Sequence, residues 1–172
     1  MNPSRRTFLL IATAAASWGA PPPAAAQTAT FASLTEAERP SITAAEKLEA
    51  EARDLSAGPG WASAARLYRN AAELRGAGDF TAADNLRIAG YIGYYERRLS
   101  SSTAVLTRAA DAYLAGGDVL SAAATLTDAA WVAVQADHGL EARRLRERAL
   151  LLTRSPQLDP ADREMLLRRL GS

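Results

Sequence analysis

Residues 69–83 read RNAAELRGAGDFTAA, and residues 108–122 read RAADAYLAGGDVLSA, so one pattern recurs at an offset of 39 positions. In both stretches a Gly-Asp pair separates two alanine-rich segments. Alanine favours α-helix, glycine ends a helix, and the aspartate after it can cap the next one. The recurring pattern therefore predicts two helix–turn–helix hairpins, with small residues where the helices cross.

On either side of these hairpins, clusters of Gly, Pro and Ser divide the chain into further segments. Within each segment apolar residues recur at steps of three and four, which indicates an amphipathic helix. No window alternates polar and apolar residues between hairpin turns, so the sequence predicts no strands. The predicted helices cover residues 42–56, 61–76, 80–98, 103–115, 119–137, 140–153 and 160–171.

Residues at the helix starts fit the chemistry of helix capping. The predicted caps are Thr43 with Glu46 for the first helix, Asp79 or Thr81 for the third, Ser100–Ser102 for the fourth and Asp159 for the seventh. Gly90 interrupts the third helix, where glycine costs roughly 1 kcal/mol relative to alanine. We expect Gly90 to permit the close approach of a neighbouring helix.

The paired hairpins resemble the tetratricopeptide-repeat family, in which a Gly-Asp turn precedes an aromatic residue and small residues at the helix crossings. The matching positions are Asp79, Phe80, Ala83 and Gly90 in the first hairpin and Asp118, Ala122 and Ala129 in the second. Val119 stands where the second aromatic would be. The resemblance covers roughly residues 61–153. The offset of 39 residues exceeds the family's period of about 34, the loop after the third helix lacks proline, and the first helix lies outside the pairing.

This resemblance implies an all-α fold of antiparallel helical hairpins stacked as a short tetratricopeptide-like solenoid, and a compact α-helical bundle is the alternative. In the family, the first helix of each pair lines a partner-binding groove. Transferred by position, that groove comprises Tyr68, Arg69, Arg75, Arg108 and Asp111. The family's carboxylate-clamp pattern of Lys and Asn is absent, so the resemblance does not imply binding of chaperone tails.

The N-terminus, MNPSRRTFLL at residues 1–10, resembles a bacterial twin-arginine export signal. Ser4, Arg5, Arg6, Phe8 and Leu9 match that pattern, and Leu10 replaces its frequent closing lysine. An apolar run then extends to about residue 18, which is shorter than the roughly 20 residues that span a bilayer. The resemblance implies export by the twin-arginine machinery to the periplasm or beyond.

A proline run at residues 21–23 and the small residues Ala24 and Ala26 follow the apolar segment, as a signal peptidase site requires. We expect cleavage after Ala26, and cleavage after Ala25 is the nearest alternative. The organisation is then a signal peptide over 1–26, a flexible linker over 27–40 and an α-helical repeat domain over 41–172, with no stable membrane span after cleavage. Two other interpretations of residues 1–26 are an uncleaved signal that tethers the protein to the membrane and an N-terminal helix of the folded domain.

Charge and cysteine content limit the classes of partner and chemistry. Loss of Arg5 and Arg6 with the signal lowers the net charge from +1 to −1. A nearly neutral surface disfavours nucleic acid as a partner, because nucleic-acid binding usually needs a clustered basic face. The chain contains no cysteine, which removes disulfides, a lipid-attachment cysteine and thiolate chemistry.

No catalytic or metal site emerges from the sequence, so we assign no catalytic residue, cofactor or metal and expect no enzyme activity. His138 is the only histidine, and we interpret it as interacting with carbonyl groups at a helix end. No Gly-x-Ser-x-Gly elbow, phosphate loop or dinucleotide fingerprint is present. Glu46, Glu49 and Glu51 are interpreted as the solvated face of the first helix rather than as paired catalytic carboxylates.

Two further groups of residues could contact a partner. Helix six carries five basic residues interleaved with Glu141 and Glu147, an arrangement typical of a solvated, ion-paired face, and binding to an anionic partner is the alternative. The basic residues are Arg143, Arg144, Arg146, Arg148 and Arg154. The aromatic residues are predicted to be mostly core, with a few rings lining a groove: Trp61, Tyr68, Tyr91, Tyr94, Tyr95, Tyr113 and Trp131.

These observations favour an exported helical-repeat protein that acts as a protein–protein interaction scaffold or an accessory subunit, with a protein or peptide as its partner. The alternative is a small-ligand carrier or an enzyme built on a helical bundle with an aromatic pocket. A closed apolar cavity with converging polar groups is what that alternative predicts.

Overall fold

The computed structural model describes residues 39–171. The predicted export signal, its cleavage site and nearly all of the predicted linker lie outside these residues. Within the described part, no helix is long and apolar enough to cross a bilayer.

Seven α-helices and short turns make up residues 39–171, and this part of the chain contains no strand. Each helix packs against the next one along the chain, so the all-α prediction of antiparallel helical hairpins is confirmed. The helices are α1 Arg39–Ser56, α2 Trp61–Arg75, α3 Phe80–Tyr95, α4 Leu99–Ala115, α5 Val119–Gln135, α6 Gly139–Leu152 and α7 Pro160–Gly171.

The Gly-Asp turns work as the repeated pattern indicates. Gly78 and Gly117 have φ of 86° and 85°, a conformation that glycine adopts without strain. Asp79 then accepts a hydrogen bond from the amide of Ala82, and Asp118 accepts one from Ser121, both at 2.9 Å. Asp159 caps α7 in the same way, through the amide of Asp162 at 2.8 Å. These predicted caps are confirmed.

Two other predicted caps are wrong. Helix α1 begins at Arg39, so Thr43 and Glu46 lie inside it rather than at its start. Helix α4 begins at Leu99, and Ser102 is buried within it. The hydroxyl of Ser102 donates to the carbonyl oxygen of Gly90 in α3 at 2.7 Å. A contact between two helices therefore decides the role of this serine, and local capping does not.

Gly90 is the point of closest approach between α3 and α4. A Cβ atom built on Gly90 would lie 2.7 Å from Cγ of Leu106, well inside van der Waals contact. Leu106 is fully buried there. The expectation that Gly90 admits a neighbouring helix is confirmed, and α4 is that neighbour.

Alanine side chains make up most of the hydrophobic core. Most of its buried apolar residues are alanines, and they lie where the helices cross. Larger side chains fill the remaining space, and the most completely buried of these are Ile92, Leu106, Leu126, Val132 and Leu166. Small side chains let the helix axes approach closely, and interiors packed in this way tolerate little added volume.

Contacts between helices two apart in the chain arrange the molecule in two layers. Glu73 of α2 lies 3.8 Å from Arg108 of α4, and Asp111 of α4 lies 2.6 Å from Arg148 of α6. These ion pairs define a first layer of α2, α4 and α6.

The second layer consists of α1, α3, α5 and α7. Asn85 of α3 donates to Glu49 of α1 at 2.7 Å. Asp128 of α5 accepts from Tyr91 of α3 at 2.6 Å and from Arg169 of α7 at 2.5 Å. Each helix of this layer is therefore bridged to the one two positions further along the chain.

Candidate interaction surface

The outer side of the first layer carries charged side chains in contact with solvent. The side chains of Arg108 and Asp111 are each about half exposed, as is Arg148, the partner of Asp111. Arg108 and Asp111 are three residues apart on α4 and therefore share one face of that helix. One reaches back to α2 and the other forward to α6. We call this surface the first-layer face.

Arg69 lies on α2, four residues before Glu73 and thus on the same side of that helix. Its side chain is partly exposed and forms no ion pair within residues 39–171. Three of the five residues predicted to line the groove, Arg69, Arg108 and Asp111, can therefore be reached from solvent.

Tyr68 does not reach the surface. It is 5% exposed and belongs to the core cluster formed by α1, α2, α3 and α4. Burial raises the pKa of its phenol. Transfer by position from the repeat family placed Tyr68 in the groove, whereas its burial agrees with the prediction that the aromatic residues are mostly core.

Arg75 is also turned into the structure. Its guanidinium donates to both oxygens of Glu49, at 2.6 and 3.0 Å, and Asn85 donates to the same carboxylate. Burial acts to raise the pKa of Glu49, but the hydrogen bonds from Arg75 and Asn85 outweigh it, and the net shift is downward. Glu49 is 6% exposed, so interpreting it as part of a solvated face is wrong.

The second layer contains a polar cluster that the sequence did not identify. Burial raises the pKa of Asp128 even though Arg169 and Tyr91 both stabilise its charge. The pKa of Tyr91 is raised by burial and by the neighbouring carboxylate. A second phenol, that of Tyr113 in α4, donates to Asp84 of α3. These carboxylates are held as structural acceptors that connect helices.

Four aromatic rings form a row across α2, α3 and α5. Ring centroids are 6.3 Å apart for Trp61 and Tyr95, 5.2 Å for Tyr95 and Tyr94, and 5.1 Å for Tyr94 and Trp131. Trp131 is 50% exposed at the end of the row. Neighbouring rings in the row meet edge to face or at a tilt, which are favourable geometries for aromatic side chains. The row therefore connects the three helices through aromatic contacts.

The described residues hold no group of three or more His, Cys, Asp or Glu side chains that could bind a metal ion. His138 lies at the start of α6, where its Nδ1 is 3.4 Å from Glu141. The backbone amide of His138 donates to the carbonyl oxygen of Ala133 at the end of α5 at 2.9 Å. The predicted contact with a helix-end carbonyl is thus made by the main chain, while the imidazole contacts the next helix.

Two shallow clefts, of about 390 and 490 Å³, open beside α6. The first is lined by Val134 of α5 and by α6 residues that include Ala142, Arg143, Arg146 and Leu150. The second lies at the turn that contains His138. Both open to solvent on the C-terminal half of the described structure.

No protein-family model, curated protein or solved structure matches this chain. The function is accordingly inferred from the geometry of the chain itself.

Proposed function

We propose that this chain is a non-enzymatic, exported helical-repeat scaffold that binds a protein or peptide partner in the periplasm. The observation that carries the proposal is the first-layer face, where α2, α4 and α6 lie side by side and present charged groups to solvent. The twin-arginine pattern at Arg5 and Arg6 supplies the route of export.

The first-layer face suits reversible binding because its ion pairs are weak. Exposed pairs contribute about 0–1 kcal/mol each. A partner can therefore replace the contact between Glu73 and Arg108, or that between Asp111 and Arg148, at small cost. Since both signs of charge alternate along the face, the partner it fits is a polar segment that also carries both signs.

The buried groups next to this face hold its shape. Arg75 connects α2 to α1 through Glu49, and Tyr68 packs in the core cluster that α2 shares with its neighbours. We therefore assign direct contact with the partner to Arg69, Arg108 and Asp111. Tyr68 and Arg75 support the backbone that carries them.

The test is capture of periplasmic partners by the exported chain. Replacement of Arg69, Arg108 and Asp111 together by alanine is expected to abolish recovery of a partner that the unmodified chain retains. The matched control is the double variant Glu164→Ala/Arg168→Ala, which removes an exposed ion pair on α7. If the triple variant retains the partner as well as the control does, the first-layer face is not the binding surface.

Export is tested separately by fractionation. Lysine at both Arg5 and Arg6 is expected to keep the protein in the cytoplasm at its full length, while the unmodified chain reaches the periplasm shortened after Ala26. A small molecule that co-purifies with the exported chain in place of a protein would favour the carrier alternative.

A further inference from the structure

Helix α7 is shorter than the second-layer helices that precede it. Helices α3 and α5 have 16 and 17 residues, whereas α7, the next helix of the second layer, has 12. At 1.5 Å per residue, α7 ends about 7 Å earlier than a helix of the length of α5 would. Its final turn stops beside Arg146, whose guanidinium donates to the carbonyl oxygen of Leu170.

The equivalent surface of the preceding hairpin is fully covered. Arg98 precedes α4 and His138 precedes α6. Counting from these two residues, Ala142, Arg146 and Leu150 of α6 correspond to Ser102, Leu106 and Ala110 of α4. All three α4 residues are at most 1% exposed. On α6, by contrast, Arg146 and Leu150 are exposed and line the open cleft of about 390 Å³.

Exposed apolar side chains are concentrated around this end. Among residues 40–171, six of the nine large hydrophobic side chains that are exposed lie after residue 130. They are Trp131, Val134, Leu140, Leu150, Leu151 and Leu167. Large exposed apolar patches of this kind mark sites where another molecule binds.

Positive charge accompanies these apolar groups. Arg143 and Arg144 are exposed and form no ion pair within the described residues, and Arg146 meets only a backbone carbonyl among the hydrogen bonds of that part. Glu147 is the acidic residue at the cleft. The cleft therefore combines an apolar floor with an excess of positive charge.

We propose that the groove between the end of α5 and α6 binds an acidic amphipathic helix of a partner protein. Apolar side chains of that helix contact Val134, Ala142 and Leu150, and its carboxylates pair with Arg143 and Arg146. Grooves of this kind take a helix through residues spaced three and four apart.

Two other occupants fit less well. A second copy would bring the same excess of positive charge to the groove, and like charges weaken such pairing. An anionic membrane is flat and would face Glu147 at the rim of a concave cleft. This surface lies on a different flank of α6 from Arg148, so it is separate from the first-layer face and stands independently of it.

The test is selection of a phage-displayed library of random 12-residue peptides on the immobilised full chain. Enriched peptides are expected to carry net negative charge and apolar residues at steps of three and four. The Kd of an enriched peptide, measured by fluorescence anisotropy, is expected to weaken about tenfold in Arg143→Glu and also to rise in Leu150→Ala.

Arg66→Glu is the matched control, because Arg66 is exposed on α2 and forms no ion pair in residues 39–171. Its Kd should stay within about twofold of the unmodified chain's. Basic enriched peptides, or equal loss in the two charge-reversal variants, would overturn the proposal. Two further outcomes would also overturn it. One is a dimer seen in sedimentation that Leu150→Ala abolishes. The other is the absence of any enriched peptide together with binding to phosphatidylglycerol vesicles that Arg143→Glu abolishes.

Discussion

The two layers of this molecule connect their helices with ion pairs, but in opposite surroundings. In the first layer Asp111 and Arg148 meet in solvent, each with about half of its side chain exposed. In the second layer Asp128 meets Arg169 with 22% and 33% of the side chains exposed, and a tyrosine hydroxyl completes the site. The same pair of residue types can therefore offer an exchangeable surface contact or a fixed link, depending on how much water it retains.

The largest expected effect is a difference in the free energy of unfolding between variants of Asp128 and Asp111. Asp128→Ala leaves the hydroxyl of Tyr91 without its acceptor and removes one partner of Arg169, and it should lower the free energy of unfolding by about 2–3 kcal/mol. Asp111→Ala should lower it by less than about 1 kcal/mol, because its partner is solvated. Urea denaturation followed by circular dichroism measures both. Equal losses of stability in the two variants would mean that the ion pairs of the two layers contribute equally to folding.

A smaller effect is expected where α3 of the second layer meets α4 of the first. In Gly90→Ala the new methyl group would lie 2.7 Å from Leu106, and the strain should cost about 1–2 kcal/mol after the gain in helix propensity. Gly139→Ala is the control, since no atom lies within 4 Å of its Cβ position. That variant should be neutral or more stable by up to about 1 kcal/mol. Thermal unfolding of the two variants gives the sign directly.

The smallest effect is a difference in pH dependence between two carboxylates of the second layer. The pKa of Glu49 is lowered, so its contribution to stability is present above the ordinary value of 4.5 and is lost as the pH falls through the lower folded-state pKa. The pKa of Asp128 is raised, so stability falls as the pH rises from 3.8 towards the folded-state value.

Unfolding free energies measured across the acid range should therefore change in opposite directions in two amide variants. Glu49→Gln should remove a rise with pH, and Asp128→Asn should remove a fall. A profile for Asp128→Asn that matches the unmodified chain would show that the pKa of Asp128 is the same in the folded and unfolded states, and would contradict this prediction.

The sequence predicted several local features of this fold correctly, although the predicted caps of α1 and α4 are wrong. The Gly-Asp turns at Asp79 and Asp118, the cap at Asp159 and the close approach at Gly90 depend on residues near in the chain or on a missing side chain. Local periodicity and backbone conformation are sufficient to identify such positions.

Features that depend on distant partners were not predictable in the same way. Glu49 looks solvated until Arg75 and Asn85, which lie 26 and 36 positions away, are brought to it. Asp128 likewise finds Tyr91 only through the stacking of α3 on α5. Of the residues predicted to line the groove, Tyr68 was placed by analogy of position, and its burial follows from packing that a helical repeat pattern alone does not specify.

The alanine-built interior bears on how a chain of this kind can change over evolutionary time. A larger side chain at a helix crossing would clash with the neighbouring helix, so stepwise substitution of the buried alanines is closely restricted. Duplicating an entire hairpin meets no such obstacle, because each unit contacts only its immediate neighbours. Descendants of this chain are thus freer to vary in length than in interior composition.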